Sequence, residues 1–147
     1  VREALFSMLG QDLSGQSVLD PFGGTGALSF EAWSRGAASV VCCEGSRGAV
    51  AAIRKNARAL GVESGFTLVA GRVPKALPRA RRFDLVLVDP PYADDPQLLV
   101  EWLEPCVGGV LVLEHSARQA PPTWVELTLS RTKRYGDTHL SVFERSS

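Results

Sequence analysis

The sequence predicts an α/β fold, a doubly wound and mostly parallel sheet that ends in an antiparallel hairpin. Three observations predict it. Five short apolar runs alternate with longer segments, two of which carry a helical period. A glycine-rich loop follows the first run directly, and an acidic residue closes both the first and the fourth run, where open sheets of this kind bind ligands. The 147 residues suit one domain, and 45% hydrophobic content is ordinary for a chain with a single core.

The elements follow in order. Val1, Ala4, Leu5, Met8 and Leu9 recur at helical spacing and make a first helix. Residues 18–21 form a strand that runs into Phe22, Gly23, Gly24, Thr25 and Gly26, and residues 27–35 continue as a helix. A second strand spans 40–43. In the next helix Val50, Ile53, Ala57 and Leu60 share one face, Arg54, Lys55 and Arg58 face elsewhere, and Gly61 ends it. Strands at 66–70, 83–88 and 107–113 alternate with further helices, which makes the sheet parallel. Segments 125–132 and 138–144, around Gly136-Asp137, read as the closing hairpin. No internal repeat, low-complexity tract or linker interrupts this order.

The most informative feature is Asp89-Pro90-Pro91-Tyr92, directly behind the fourth apolar run. Few chemistries other than methyl transfer to an exocyclic amine need that tetrapeptide at a strand end. The lone pair of an aromatic amine is delocalised, so two acceptors must hold its hydrogens before it can attack. The Asp89 carboxylate can take one and the Pro90 carbonyl the other, because Pro91 biases the residue before it to an extended conformation. Tyr92 offers a flat face on which a base can stack, a contact of roughly 1–3 kcal/mol. This is catalysis by positioning and electrostatics. The bland alternative is a Pro-rich strand exit with Asp89 as a turn former.

The glycine loop weighs against that alternative. Its glycines let a ligand approach the backbone closely, and the following helix presents its N-terminus. A dinucleotide would put a pyrophosphate there, which Asp20 at the strand end would repel. S-adenosyl-L-methionine carries no phosphate and has two cationic groups that Asp20 complements. Glu44 follows Gly26 by about the interval at which such sheets place a ribose-binding acid. It is expected to hold the ribose hydroxyls, with Gly45 and Ser46 beside it.

With these motifs in hand, the chain resembles the class I S-adenosylmethionine-dependent methyltransferases, and within them the RsmD-type family. The resemblance covers nearly the whole chain: Val1-Arg2-Glu3-Ala4-Leu5-Phe6, the glycine loop with Gly26-Ala27-Leu28 and Glu31-Ala32, Ser34-Arg35-Gly36-Ala37, Glu44, Asn56, Asp89-Pro90-Pro91-Tyr92 and Leu113-Glu114-His115. It implies a Rossmann-like, seven-stranded class I methyltransferase fold that methylates N2 of a guanine in bacterial 16S ribosomal RNA. Its partners would be ribosomal RNA or a small-subunit assembly particle, with no membrane, no metal, and a monomeric state. Where many relatives carry an acidic or amide residue after the third strand to receive the adenine amine, this chain has Gly71-Arg72, so a backbone group there is expected to replace the side chain. The family also has a basic segment ahead of the first helix. This chain starts inside that helix, which implies a truncated N-terminus and places most phosphate contacts in the missing arm.

Composition agrees with a cytoplasmic enzyme. No apolar stretch reaches the ~20 residues that span a bilayer, no secretory signal opens the chain, and Cys42, Cys43 and Cys106 show neither a metal spacing nor a disulfide framework. Net charge fits less well, since 16 basic residues balance 16 acidic ones where a nucleic-acid-binding domain is usually basic. The clusters Arg79, Arg81, Arg82 and Arg131, Lys133, Arg134 offer local positive charge, or simply solvated faces. His115 could line a base pocket, His139 reads as structural, and Trp33, Trp102 and Trp124 read as core or rim. Two other functions fit the same motifs: a DNA adenine-N6 or cytosine-N4 methyltransferase, which lacks room here for a target-recognition domain, and a cofactor-binding module that has lost catalysis.

Overall fold

The computed structural model describes residues 2–62, 64–91 and 96–146. Helix α1 (Arg2–Leu9) leads into β1 (Ser17–Asp20), α2 (Ala27–Ser34), β2 (Ser39–Glu44), α3 (Arg47–Leu60), β3 (Phe66–Ala70), β4 (Phe83–Val88), α4 (Pro96–Leu103), β5 (Val107–Ser116), β6 (Leu127–Tyr135) and β7 (Thr138–Arg145). One seven-stranded sheet results, in the order β3-β2-β1-β4-β5-β7-β6. The first five strands pair in parallel, and β7 pairs antiparallel with both β5 and β6.

The central strands are apolar in long runs because both faces of the sheet are covered. Successive side chains of a strand point to opposite faces, and two cores form accordingly. On one face Val18, Val40, Leu85 and Leu87 pack with Leu5 and Phe6 of α1 and Ala32 of α2. On the other, Leu19, Val86, Val88 and Leu111 pack with Leu99, Val100 and Leu103 of α4. Helix α3 begins at Ser46, whose hydroxyl accepts from the Ala49 amide at 3.5 Å, and ends at Gly61, whose amide closes on the Ala57 and Arg58 carbonyls. It buries Val50 and Ile53, two of its predicted apolar face.

Two elements depart from expectation. The β3–β4 connection is a series of turns, not a helix. Pro74 and Pro78 explain this, because each removes a backbone donor and a helix so interrupted cannot complete its bonds. Strand β5 runs to Ser116, three residues beyond its predicted end. Its partner decides that: β7 continues the ladder as far as Ser116↔Thr138. The extension carries Glu114 and His115 into the sheet.

Parallel strands end on the same edge, so Asp20, Glu44, Asp89 and Glu114 gather along one side of the sheet. The registers Leu19↔Val86 and Val88↔Leu113 set Asp20, Asp89 and Glu114 on three adjacent strands. The strand order reverses between β1 and β4, and such a switch point opens a crevice at the carboxyl ends.

Candidate functional site

The site begins with how the glycine loop lies against β2. The Gly23 amide donates to the Cys43 carbonyl at 2.8 Å, and the Gly26 amide donates to the Gly23 carbonyl at 2.8 Å. A Cβ on Gly23 would stand 2.5 Å from the Cys42 Sγ and 3.3 Å from the Cys43 carbonyl, so no side chain fits. Gly26 caps α2 with φ +83°, a conformation that L side chains rarely adopt, and a Cβ there would also press on the Phe30 ring at 2.8 Å.

Glu44 ties this loop to the next one. Its Oε1 accepts from the Gly24 amide at 2.8 Å and its Oε2 from the Ser46 amide at 2.7 Å. A carboxylate has about four lone-pair sites, so both oxygens keep acceptor capacity toward the crevice. The Gly71 amide donates to the Glu44 carbonyl at 2.8 Å, and the aliphatic stem of Arg72 packs over Gly45.

Two cavities occupy the crevice. The larger, about 890 Å³, is walled by Phe22, Gly23, Gly24 and Thr25 of the loop, by Glu44, Gly45 and Ser46, and by Gly71 and Arg72. The smaller, about 390 Å³, lies toward the hairpin, between Leu99, His115, Arg118 and the Asp137-Thr138 turn. Asp89, Pro90, Pro91 and Glu114 line both, so the two cavities meet at the Asp-Pro-Pro turn. Tyr92 lies outside the described residues.

Two expected cofactor contacts lie behind the wall instead of on it. Gly26 serves as the cap of α2. Asp20 is fully buried, and its Oδ2 accepts from the Ser29 hydroxyl of α2 at 2.7 Å. Among the described residues no donor completes a bond to Oδ1, although the Phe22 amide is near enough to favour the ionised form. Asp20, expected as a direct partner for cationic groups, turns its side chain toward α2 in this fold. Burial pushes its pKa up to about 6, against the Ser29 hydroxyl and the Phe22 amide.

Glu114 is the residue that sequence reasoning left out of the site. The available signal was an acid one position past a predicted strand, beside the strand that carries Asp89. Burial pushes its pKa up to about 7, and the Asp89 charge and a hydrogen bond with Asp89 act in the same direction. His115 stands on the wall of the smaller cavity, as its position suggested. Its Nδ1 lies 3.1 Å from the Ser116 carbonyl, which fixes the proton there, so Nε2 accepts from the Ser141 hydroxyl at 2.7 Å. Desolvation lowers its pKa, and His139 packs edge-on at 5.4 Å between ring centroids. Trp102 reaches the larger cavity, whereas Trp124 is buried against Phe143.

The two basic clusters separate. Arg79, Arg81 and Arg82 precede β4 and so lie at the edge of the sheet opposite the cavities, with Arg81 stacked over Phe83 at 4.4 Å. On exposed edge strand β6, Arg131 donates to the Met8 carbonyl, while Lys133 and Arg134 stand near the turn that walls the smaller cavity. Among the described residues, no group of three or more His, Cys, Asp or Glu could hold a metal ion, and no helix is long and apolar enough to cross a membrane.

This strand order, with a glycine loop after β1, an acid ending β2 and Asp-Pro-Pro following β4, is the class I methyltransferase fold. The family described as "Conserved hypothetical protein 95" matches residues 1–144, and the chain belongs to it, the RsmD-type family. The chain is 27% identical over 161 residues to the Bacillus subtilis protein named "Putative rRNA methyltransferase YlbH", covering 99% of this chain and 84% of that one. It is 30% identical over 93 residues to ribosomal RNA small subunit methyltransferase D of Buchnera aphidicola, covering 63% of this chain and 47% of that protein, about half its length. Among solved structures, the Escherichia coli protein named "Putative methyltransferase yhhF" superposes with a TM-score of 0.90 at 25% identity, covering 99% of this chain and 86% of that one.

Proposed function

We propose that this chain is one S-adenosyl-L-methionine-dependent methyltransferase domain that modifies the exocyclic N2 amine of a guanine in small-subunit ribosomal RNA, in the cytoplasm. The observation that carries this reading is the meeting of the two cavities at Asp89-Pro90-Pro91. The relatives named as ribosomal RNA methyltransferases support the substrate class.

The residues present fit the cofactor. The larger cavity offers a closely approachable glycine loop and a carboxylate already oriented by two backbone amides, which can accept from ribose hydroxyls without further ordering. Gly71 and Arg72 bring backbone groups and an aliphatic stem to the adenine end. Bound there, the cofactor supplies an electrophilic methyl group on a sulfonium. Asp89 and the Pro90 carbonyl hold the two amine hydrogens, which turns the nitrogen lone pair toward the larger cavity. After transfer the nitrogen is acidic, and its proton passes to the Asp89 carboxylate. The smaller cavity holds the rest of the base, with Lys133 and Arg134 placed to meet phosphates near its mouth.

Incubating ribosomal RNA from a strain lacking the enzyme with methyl-labelled cofactor, then mapping the label, tests the reading. One labelled N2-methylguanosine in the small-subunit RNA is expected; label on adenine or cytosine, or none, overturns it. Calorimetry is expected to show binding of S-adenosylmethionine and none of a nicotinamide dinucleotide, and comparable affinities would contradict the loop assignment. Glu44→Gln leaves one loop amide facing a donor, so cofactor affinity is expected to fall by about 1–3 kcal/mol with turnover at saturating cofactor little changed. A collapse of saturated turnover would remove Glu44 from the ribose.

A further inference from the structure

We propose that Glu114 selects guanine: its carboxylate accepts the base's N1–H beside the two amine hydrogens taken by Asp89 and the Pro90 carbonyl. This rests on the N2 reading above and extends it to the residue that chooses the base.

The geometry supplies the third acceptor. Glu114 and Asp89 are the only ionisable groups among the described residues that line both cavities. The Val88↔Leu113 register sets their two positions side by side on one face of the sheet. His115 does not compete for the carboxylate, because the Ser116 carbonyl and the Ser141 hydroxyl occupy its ring nitrogens.

The chemistry of the bases then discriminates. Guanine presents three donors in a row, N1–H and the two N2 hydrogens. Adenine and cytosine present two amine hydrogens beside a ring nitrogen with a lone pair. Three acceptors in a row match guanine, whereas a carboxylate facing a ring lone pair leaves two acceptors opposed in a half-buried place. Burial, the Asp89 charge and a hydrogen bond with Asp89 push the Glu114 pKa up to about 7, so an N1–H that takes the place of that bond tips Glu114 to the ionised, accepting form.

The base analogue 2-aminopurine keeps the exocyclic amine and loses N1–H. The full-length protein is given an RNA fragment spanning the mapped target, with guanosine or 2-aminopurine riboside at that position. The parent is expected to prefer guanosine by about 10- to 100-fold in kcat/KM, the scale of one good base contact. Glu114→Gln is expected to lose guanosine activity by a similar factor and to bring the ratio close to one, with cofactor affinity by calorimetry unchanged. If that variant does not fold, Glu114→Asp serves, because the shorter carboxylate keeps the preference and lowers it. Guanosine activity with the same ratio in parent and variant overturns the Glu114 assignment alone. A parent inactive on guanosine overturns the N2 reading and this assignment with it.

Discussion

Asp89→Ala is expected to lower the methylation rate by about 10²-fold or more while cofactor affinity stays near that of the parent. Asp89 ends a strand at the meeting of the two cavities, and an acceptor there acts on the amine as its lone pair turns toward the methyl group. Losing one preorganised group of this kind costs on the order of 10²–10³ in rate. The fold should survive, because Asp89 is exposed and follows β4 rather than contributing to either core. Single-turnover rates at saturating cofactor, with calorimetry on the same samples, separate the two quantities. A variant that methylates guanine at the parent rate would remove amine positioning from the mechanism; a variant that has lost cofactor affinity to the same degree would make Asp89 a binding residue.

Asp20→Asn is expected to change how stability depends on pH by roughly 3 kcal/mol. In the fold Asp20 titrates near 6, against an ordinary value of 3.8, because burial disfavours its charge. Between those values the folded chain holds a proton that the unfolded chain has released. Stability therefore falls as pH rises through that window, and the loss is complete above the folded value. An interval of about two pH units corresponds to roughly 3 kcal/mol. The amide has no charge to bury, so relative to the parent the variant should gain by that amount between pH 3 and pH 7.5. Any cost of the amide beside Ser29 is a constant offset that drops out of the difference. Urea unfolding of both proteins across that range, without cofactor, is the measurement. Parallel stability curves would mean that Asp20 titrates in the fold as it does in the unfolded chain, so that burial does not raise its pKa.

Sequence alone determined the frame of this protein. Local features decide where strands and helices fall, and they are read from short stretches: apolar runs of strand length, the 3.6-residue period of α3, the glycine that ends it, and the glycine loop between β1 and α2. The same holds for the Asp-Pro-Pro turn, whose chemistry resides in consecutive residues. Even the absence of a helix between β3 and β4 had a local cause, in Pro74 and Pro78. What the tertiary structure decided depends on partners far away in the chain. Strand β5 extends to Ser116 because β7, more than twenty residues on, supplies its hydrogen bonds, and the Val88↔Leu113 register with β4 is what brings Glu114 beside Asp89. Asp20 and Glu44 are both acids at strand ends, alike in sequence. The fold buries Asp20 against Ser29 and turns Glu44 toward the loop amides, because side-chain direction follows from which face each strand presents to which helix. The two arginine-rich clusters also look equivalent in sequence, yet one precedes a parallel strand and the other approaches the turn that walls a cavity. Which edge of the sheet a residue occupies is fixed only when all the strands have paired.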